Sequence, residues 1–471
     1  MSSHQTEPAP EPAPEQREPT GDSLAHGLRA RHLTMMGLGS AIGAGLFLGS
    51  GQGIAIAGPA VLVSYSIAGV LVVLLMRMLA EMATEVPSSG AFSVYAETAL
   101  GRWAGFTMGW LYWFMLIMVL GVEVTGAAQI MAGWWPSVPQ WVFAGVVVAL
   151  FAVLNLVGVR SFGEAEFWFA AVKVLAILAF LVIGVLVVLG WLPGTEPVGT
   201  ENLLGHGGFA PTGWSGIAAA LLVVVFAFGG IEIVTIAAAE ARDPQRAIGI
   251  ATRSIVWRIV FFYLGSIAIM VLVLPWDSPA LAESPFVAVL DVAGLENAAR
   301  VMSVVVVVAL LSAFNANVYG TSRMAYSLAR RGDGPRALAR VSRTEVPWVA
   351  VLLSVFFGFV SVLLNWWLPD ALLEILLNAV GSALLVIWVF IAVSQLVLRP
   401  RLEAAARERG ETLQLRMWLY PWLTWATLAG LAALVVLMLT DPSARAQLAA
   451  TAVLTLVIFG IYLVRSRRAR A

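Results

Sequence analysis

The chain has no cysteine, a single lysine, and charge on only 12% of its 471 residues. Without cysteine there is no disulfide framework, no thiolate nucleophile and no Cys-ligated metal site. The four histidines, at positions 4, 26, 32 and 206, fall outside the apolar segments, which argues against a histidine proton relay or metal cluster in a membrane. No embedded catalytic dyad is visible, so an intramembrane enzyme is not expected. Nor is a cofactor, a metal or a nucleic-acid partner.

What remains is mostly apolar. Hydrophobic residues make up 60% of the chain and its mean hydropathy is +0.88, far beyond a soluble domain. The reading is an all-α integral membrane protein whose partner is the lipid bilayer. Residues 1–25 alternate Pro, Glu, Ala and Gln, cannot bury enough apolar surface to fold, and read as a disordered tail without the basic and apolar regions of a signal peptide. About twelve apolar spans follow, each near the ~20 residues that a hydrocarbon core requires. They fall near 33–57, 60–83, 103–132, 140–158, 165–191, 214–239, 254–275, 298–328, 347–367, 371–398, 418–439 and 446–465.

Loop charge tests that count. Arginines from Arg29 and Arg31 through Arg160, Arg246, Arg336 and Arg407 to the basic tail 466–471 fall on one side, and the alternate loops hold little beyond Arg300 and Arg445. By the positive-inside rule both termini are cytoplasmic and the number of spans is even. Tryptophans such as Trp134, Trp135, Trp191, Trp276, Trp366 and Trp367 mark span ends, as an aromatic belt does.

Few polar features lie inside the spans. Residues 37–53 read Gly-Leu-Gly-Ser-Ala-Ile-Gly-Ala-Gly-Leu-Phe-Leu-Gly-Ser-Gly-Gln-Gly, a run of poor helix formers at membrane depth. Open backbone there is tolerated only where protein or a water-filled cavity surrounds it. A second break, Phe226-Ala-Phe-Gly-Gly-Ile-Glu232, opens the sixth span. Two interrupted helices heading two five-span halves point to an inverted-repeat transporter with a midplane site. Close helix packing is the alternative use of such glycines.

Lys173, the sole lysine, stands in an apolar run about two turns from the cytoplasmic end of its expected span. A buried ammonium can exchange a proton where arginine cannot, so Lys173 is a candidate coupling group; a paired structural cation, or one that snorkels to the interface, is the alternative. Glu232 and Glu123 are embedded carboxylates suited to gating, proton handling or a cationic substrate group, or to fixing helix packing. Ser312, Asn315 and Asn317 in the eighth span suit a cation or the Lys173 ammonium, and equally interhelical hydrogen bonds. Glu81 and Glu85 read as interfacial or as part of an inner gate.

These residues carry a resemblance. The run at 37–51, Ala57-Gly-Pro, Asn155-Leu-Val-Gly-Val-Arg-Ser-Phe-Gly-Glu, Gly208-Phe-Ala-Pro-Thr-Gly-Trp-Ser-Gly, Phe226-Ala-Phe-Gly-Gly-Ile-Glu, Glu240-Ala-Arg-Asp-Pro, Ser284-Pro-Phe and Thr321-Ser-Arg-Met-Ala-Tyr-Ser-Leu-Ala resemble bacterial amino acid permeases of the amino acid/polyamine/organocation superfamily. The match runs from about residue 27 to about 400.

The resemblance implies a LeuT-type fold of five plus five inverted repeats, with helices 1 and 6 unwound: repeats at 26–191 and 214–398, and two additional helices at 418–465. It implies a secondary transporter in the cytoplasmic membrane that imports amino acids by alternating access, usually by proton symport, with sodium coupling less expected. An exchanger of the same fold is the alternative, and a channel a more distant one. Ser40, Ala41, Ile42, Gly43, Ala44 and Gly45 would hold the substrate carboxylate through backbone amides. Carbonyls around Phe226, Ala227, Gly229, Gly230 and Ile231 would receive its amino group, with Phe226 closing over the ligand. Glu232 would gate or couple transport and Lys173 would carry the proton; Glu123, Ser312 and Asn315 join them as gating or coupling candidates on their own chemistry. Ala44 replaces a hydroxyl residue common in relatives, leaving the backbone to bind. The substrate's identity and the choice between monomer and dimer stay open.

Overall fold

The computed structural model describes residues 42–88, 91–157, 159–230, 244–282, 284–369, 372–440 and 442–468. Ser40, Ala41, Ile231 and Glu232, and the expected tail 1–25, lie outside the described residues.

Among the described residues every regular element is helical: α1 (Ala44–Phe47), α2 (Gly49–Ala57), α3 (Val61–Glu85), α4 (Ala91–Leu100), α5 (Arg102–Trp134), α6 (Gln140–Val157), α7 (Val159–Val188), α8 (Gly213–Ala227), α9 (Pro244–Arg258), α10 (Ser266–Val273), α11 (Pro285–Val292), α12 (Glu296–Arg330), α13 (Trp348–Trp367), α14 (Leu372–Glu408), α15 (Trp422–Met438) and α16 (Pro442–Arg468). Seven apolar runs are long enough to cross a membrane: Ala44–Glu85, Arg102–Trp134, Phe167–Val188, Glu296–Arg330, Trp348–Trp367, Ile375–Glu408 and Arg445–Arg467. Four shorter ones, Gln140–Leu156, Gly213–Ala227, Ile259–Val273 and Trp422–Met438, fall on other expected spans.

The 42-residue run Ala44–Glu85 would measure roughly 60 Å if straight, about twice a hydrocarbon core. It turns at Gly58, whose φ of +63° suits glycine alone, and at a 3₁₀ turn carrying Pro59. The expected boundary between the first two spans sits at that turn. Elsewhere the helices outrun their expected limits: α14 continues through Pro400 to Glu408, and α16 takes up residues 466–468 of the expected basic tail.

Long α5 is the spine, packing on α4, α6, α12, α13, α14 and α16. A second group, α2, α3 and α8, packs together, and short α1 touches α5, α8 and α12. Lipid-facing and core-facing stripes are distinct. On α7, Trp168, Leu175, Val182 and Val185 are exposed, whereas Lys173, Ile177 and Phe180 are fully buried at helical spacing on the opposite face. Trp135, Trp191, Trp366 and Trp367 are exposed at helix ends, as the belt requires.

Glu81, expected at the interface or in an inner gate, is fully buried, because the end of α3 is roofed by α14 and the segment before α15. Its carboxylate pairs with Arg399 and accepts from Gln395 Nε2 at 2.9 Å and from the Met417 amide. Arg399 also pairs with Glu403 at 2.9 Å, and Thr424 donates to Gln395 Oε1 at 2.9 Å. Removing Arg399 leaves the buried Glu81 carboxylate without its cation, so Arg399→Ala is expected to cost about 3–5 kcal/mol, read as a lowered thermal transition in detergent. Glu85 is the peripheral one, paired with half-exposed Arg409 at 3.1 Å.

Candidate functional site

The described part of the first expected break begins at Ile42. Ile42 and Gly43 are not helical, and Gly43 is extended, with φ −142° and ψ −151°, as the residue before α1. Ala44 and Gly45, expected in the loop, are already helical. Two buried side chains hold this turn. The Ala44 amide donates to both oxygens of Glu123 on α5 at 3.2 Å, and Lys173 Nζ on α7 donates to the Ile42 carbonyl at 3.2 Å. A carboxylate therefore faces the free amide end of α1 and a cation faces the carbonyl before it, the pairing that backbone polarity favours.

Lys173 lies about four turns from the start of α7 but, as expected, under two turns from the start of the apolar run Phe167–Val188. It is fully buried, so it does not snorkel to an interface.

The second interruption follows α8. Phe228, Gly229 and Gly230 form a turn, with Gly230 at φ +92°. The last carbonyls of α8 find partners within and beyond it: Val225 from the Phe228 amide at 3.2 Å, Phe226 from the Gly229 amide at 2.8 Å, and Ala227 from the Tyr263 hydroxyl at 3.0 Å. Phe226, Ala227 and Phe228 are buried.

The two interruptions meet. A Cβ at Gly45 would overlap the Ala227 backbone, and one at Gly43 would lie 2.6 Å from Glu123 Oε1 and 3.0 Å from Ala313 Cβ of α12. The approach of the α8 backbone thus requires glycine at 45, where the use is close packing, whereas at 43 the nearest obstacle is the end of the Glu123 side chain.

On α12, Ser312 and Asn315 are buried where that helix packs on α1 and α7. Asn315 Oδ1 accepts from Asn155 Nδ2 of α6 at 2.8 Å, so this amide is spent in part on an interhelical bond. Asn317 donates to its own helix, to the Ala313 carbonyl at 2.8 Å. Tyr263 and Asn155 were not singled out as site residues by sequence. Each is a polar atom within an apolar stretch, which must find a partner when buried, and that was the available signal.

A cavity of about 310 Å³ opens beyond the interruptions, toward the Trp134 end of α5, lined by Leu48, Gly126, Gln129, Ser284, Val306 and Leu373 among others. Leu48 and Gly126 stand about one turn beyond Ala44 and Glu123 on their helices. The volume suits a small ligand.

With that geometry in place, similarity to known proteins can be weighed. A family model described as amino acid permease matches residues 32–471. The aromatic amino acid transport protein AroP of Corynebacterium glutamicum is 55% identical over 92% of this chain and 94% of its own length. The gamma-aminobutyric acid permease of Bacillus subtilis is 44% identical over 94% of this chain and 93% of its own. A solved structure, the Eremococcus coleocola manganese transporter in complex with an aromatic bis-isothiourea compound, shares the fold at a TM-score of 0.54, with 16% identity and 92% of each chain covered. Matched by the family model over nearly its whole length and by relatives named as transport proteins, this multi-pass membrane chain belongs to the amino acid permease family and is a transporter, not an enzyme.

Proposed function

We propose that this protein imports an amino acid across the cytoplasmic membrane by alternating access, coupled to inward proton movement, with an aromatic amino acid as the favoured cargo. The observation that carries the reading is the meeting of two helix interruptions at Gly45 and Ala227, with the only lysine and a buried carboxylate fastened to the same turn. Interrupted helices at membrane depth are where transporters place substrate and coupling groups.

In this reading the chain crosses the membrane twelve times, with both termini cytoplasmic, as two inverted five-helix repeats followed by two additional helices. Amides around Gly43 and Ala44 take the substrate carboxylate, and carbonyls at the end of α8 take the amino group. Glu123 already lies on the Ala44 amide, so an arriving substrate carboxylate displaces it, and arrival is tied to movement of a buried acid. Lys173, bonded to the carbonyl of Ile42, is the group that gains and loses the proton, in the place a metal cation would otherwise fill. The cavity above Leu48 is the approach.

The aromatic preference rests on the name of the Corynebacterium glutamicum relative; the gamma-aminobutyric acid relatives supply the competing cargo. Proteoliposomes given labelled phenylalanine, tyrosine, tryptophan, 4-aminobutyrate, arginine and glutamate separate the two. Accumulation strongest for the three aromatic amino acids is expected; strongest accumulation of 4-aminobutyrate or of a charged amino acid overturns the assignment of cargo.

A further inference from the structure

We propose that Tyr263 is a positioning residue for the substrate's amino group, a role that rests on the reading of the α8 end given above. The preceding helix does not run on regularly: between α9 and α10, residues Ile259–Gly265 wind as a π-helix. Such segments are rare and recur at functional sites. Each residue that a π turn adds rotates the downstream face by about 100° relative to an α-helix, which re-aims a side chain without moving the helix axis.

Here the side chain on that segment is a fully buried tyrosine whose hydroxyl crosses to α8 and donates to the Ala227 carbonyl at 3.0 Å. Its ring stacks on Phe228, the first residue of the interruption, at 4.7 Å and 27°. One side chain thus holds both sides of the bond at which α8 stops. The carbonyl it holds belongs to the residue packed against Gly45, where the two interruptions meet.

A carbonyl oxygen has two acceptor positions. Tyr263 fills one and thereby fixes the direction of the other, which is the one an ammonium group would use. A hydroxyl donor suits this task because it cannot repel that ammonium as a buried cation would. The neighbouring aromatic supplies a control. Tyr65 lies 6.2 Å from the Tyr263 ring and 6.0 Å from Phe228, is equally buried, and has a hydroxyl without a hydrogen-bond partner among the described residues.

The test compares wild type, Tyr263→Phe and Tyr65→Phe, each losing at most one hydroxyl and keeping the ring. Two measurements are made: transport kinetics for L-phenylalanine and for 4-aminobutyrate in proteoliposomes, and hydrogen exchange of a peptide spanning 226–230 with and without each compound. Tyr263→Phe is expected to raise KM roughly tenfold, the size of one lost hydrogen bond with its acceptor left buried, to leave kcat within about twofold, and to speed exchange of the substrate-free peptide. Tyr65→Phe is expected to change neither. If exchange and KM stay at wild-type values in Tyr263→Phe, or if exchange rises while KM does not, Tyr263 is packing only and the proposal fails. If neither compound protects the peptide in wild type, it is the location of the site that fails, and the wild-type measurement alone reveals it.

Discussion

Lys173→Met is expected to reduce proton-driven uptake by roughly a hundredfold while leaving a folded protein, because a charged hydrogen bond of about 1.5–3 kcal/mol and the titrating group are lost together. Methionine approximates the lysine volume and is at home in an apolar setting, so the buried position between Ala170 and Ile177 stays filled. What disappears is the donor to the Ile42 carbonyl, the residue that enters the turn before α1. Lys173→Arg separates the two losses. Arginine keeps a cation near the turn but cannot release a proton, so it is expected to retain measurable substrate binding and lose the response to a pH gradient. Initial rates in proteoliposomes, with size-exclusion profiles as the check on folding, read both variants. Gradient-driven rates within about twofold of wild type in Lys173→Met would remove the lysine from the coupling role.

The other large effect is expected at the glycines where helices touch. Gly45→Ala pushes a methyl group into the Ala227 backbone, which no side-chain rotation relieves. Overpacking of this kind costs roughly 1–3 kcal/mol and separates α1 from α8, so loss of both stability and transport is expected. Gly43→Ala is different in kind, since its nearest obstacle is the Glu123 carboxylate at 2.6 Å, the end of a side chain. Shortening that side chain should make room. The double variant Gly43→Ala/Glu123→Ala is therefore expected to recover thermal stability relative to Gly43→Ala alone while transport stays lost, a non-additive pair of the sort that double-mutant cycles detect. Recovery of transport along with stability would mean that Glu123 serves packing and nothing more.

How much of this could be read before the fold was known varies residue by residue. The two breaks were expected because glycine clusters violate the local rule for an apolar helix, and the structure describes one side of each, the extended Gly43 before α1 and the turn 228–230 after α8; Lys173 stood out because a lone ammonium violates the composition of its span. The end of the first interruption was not legible. The resemblance put Ala44 and Gly45 in the loop, although alanine itself favours a helix; in the structure the Glu123 carboxylate lies on the Ala44 amide and Gly45 packs on Ala227. Those contacts come from distant parts of the chain and leave no local trace. The burial of Glu81 was not legible for a related reason: its partners Arg399, Gln395 and Met417 come from more than 300 residues away and leave no local trace. Tyr263 lies in an unbroken apolar run, Ile259-Val-Phe-Phe-Tyr-Leu-Gly, where nothing in the spacing announces a π turn. The breaks could be located in the sequence, but not the side chains that hold them.

The central claim is that this chain couples amino acid movement to a proton through the turn held by Lys173 and Glu123. Its most direct test is accumulation of L-phenylalanine in proteoliposomes under an imposed pH gradient, inside alkaline, with sodium present or absent. The account predicts a transient concentration inside above that outside, abolished by a protonophore, indifferent to sodium, and missing from Lys173→Met. Accumulation that requires sodium and ignores pH would contradict the coupling, and mere equilibration across the bilayer under every gradient would contradict active transport itself.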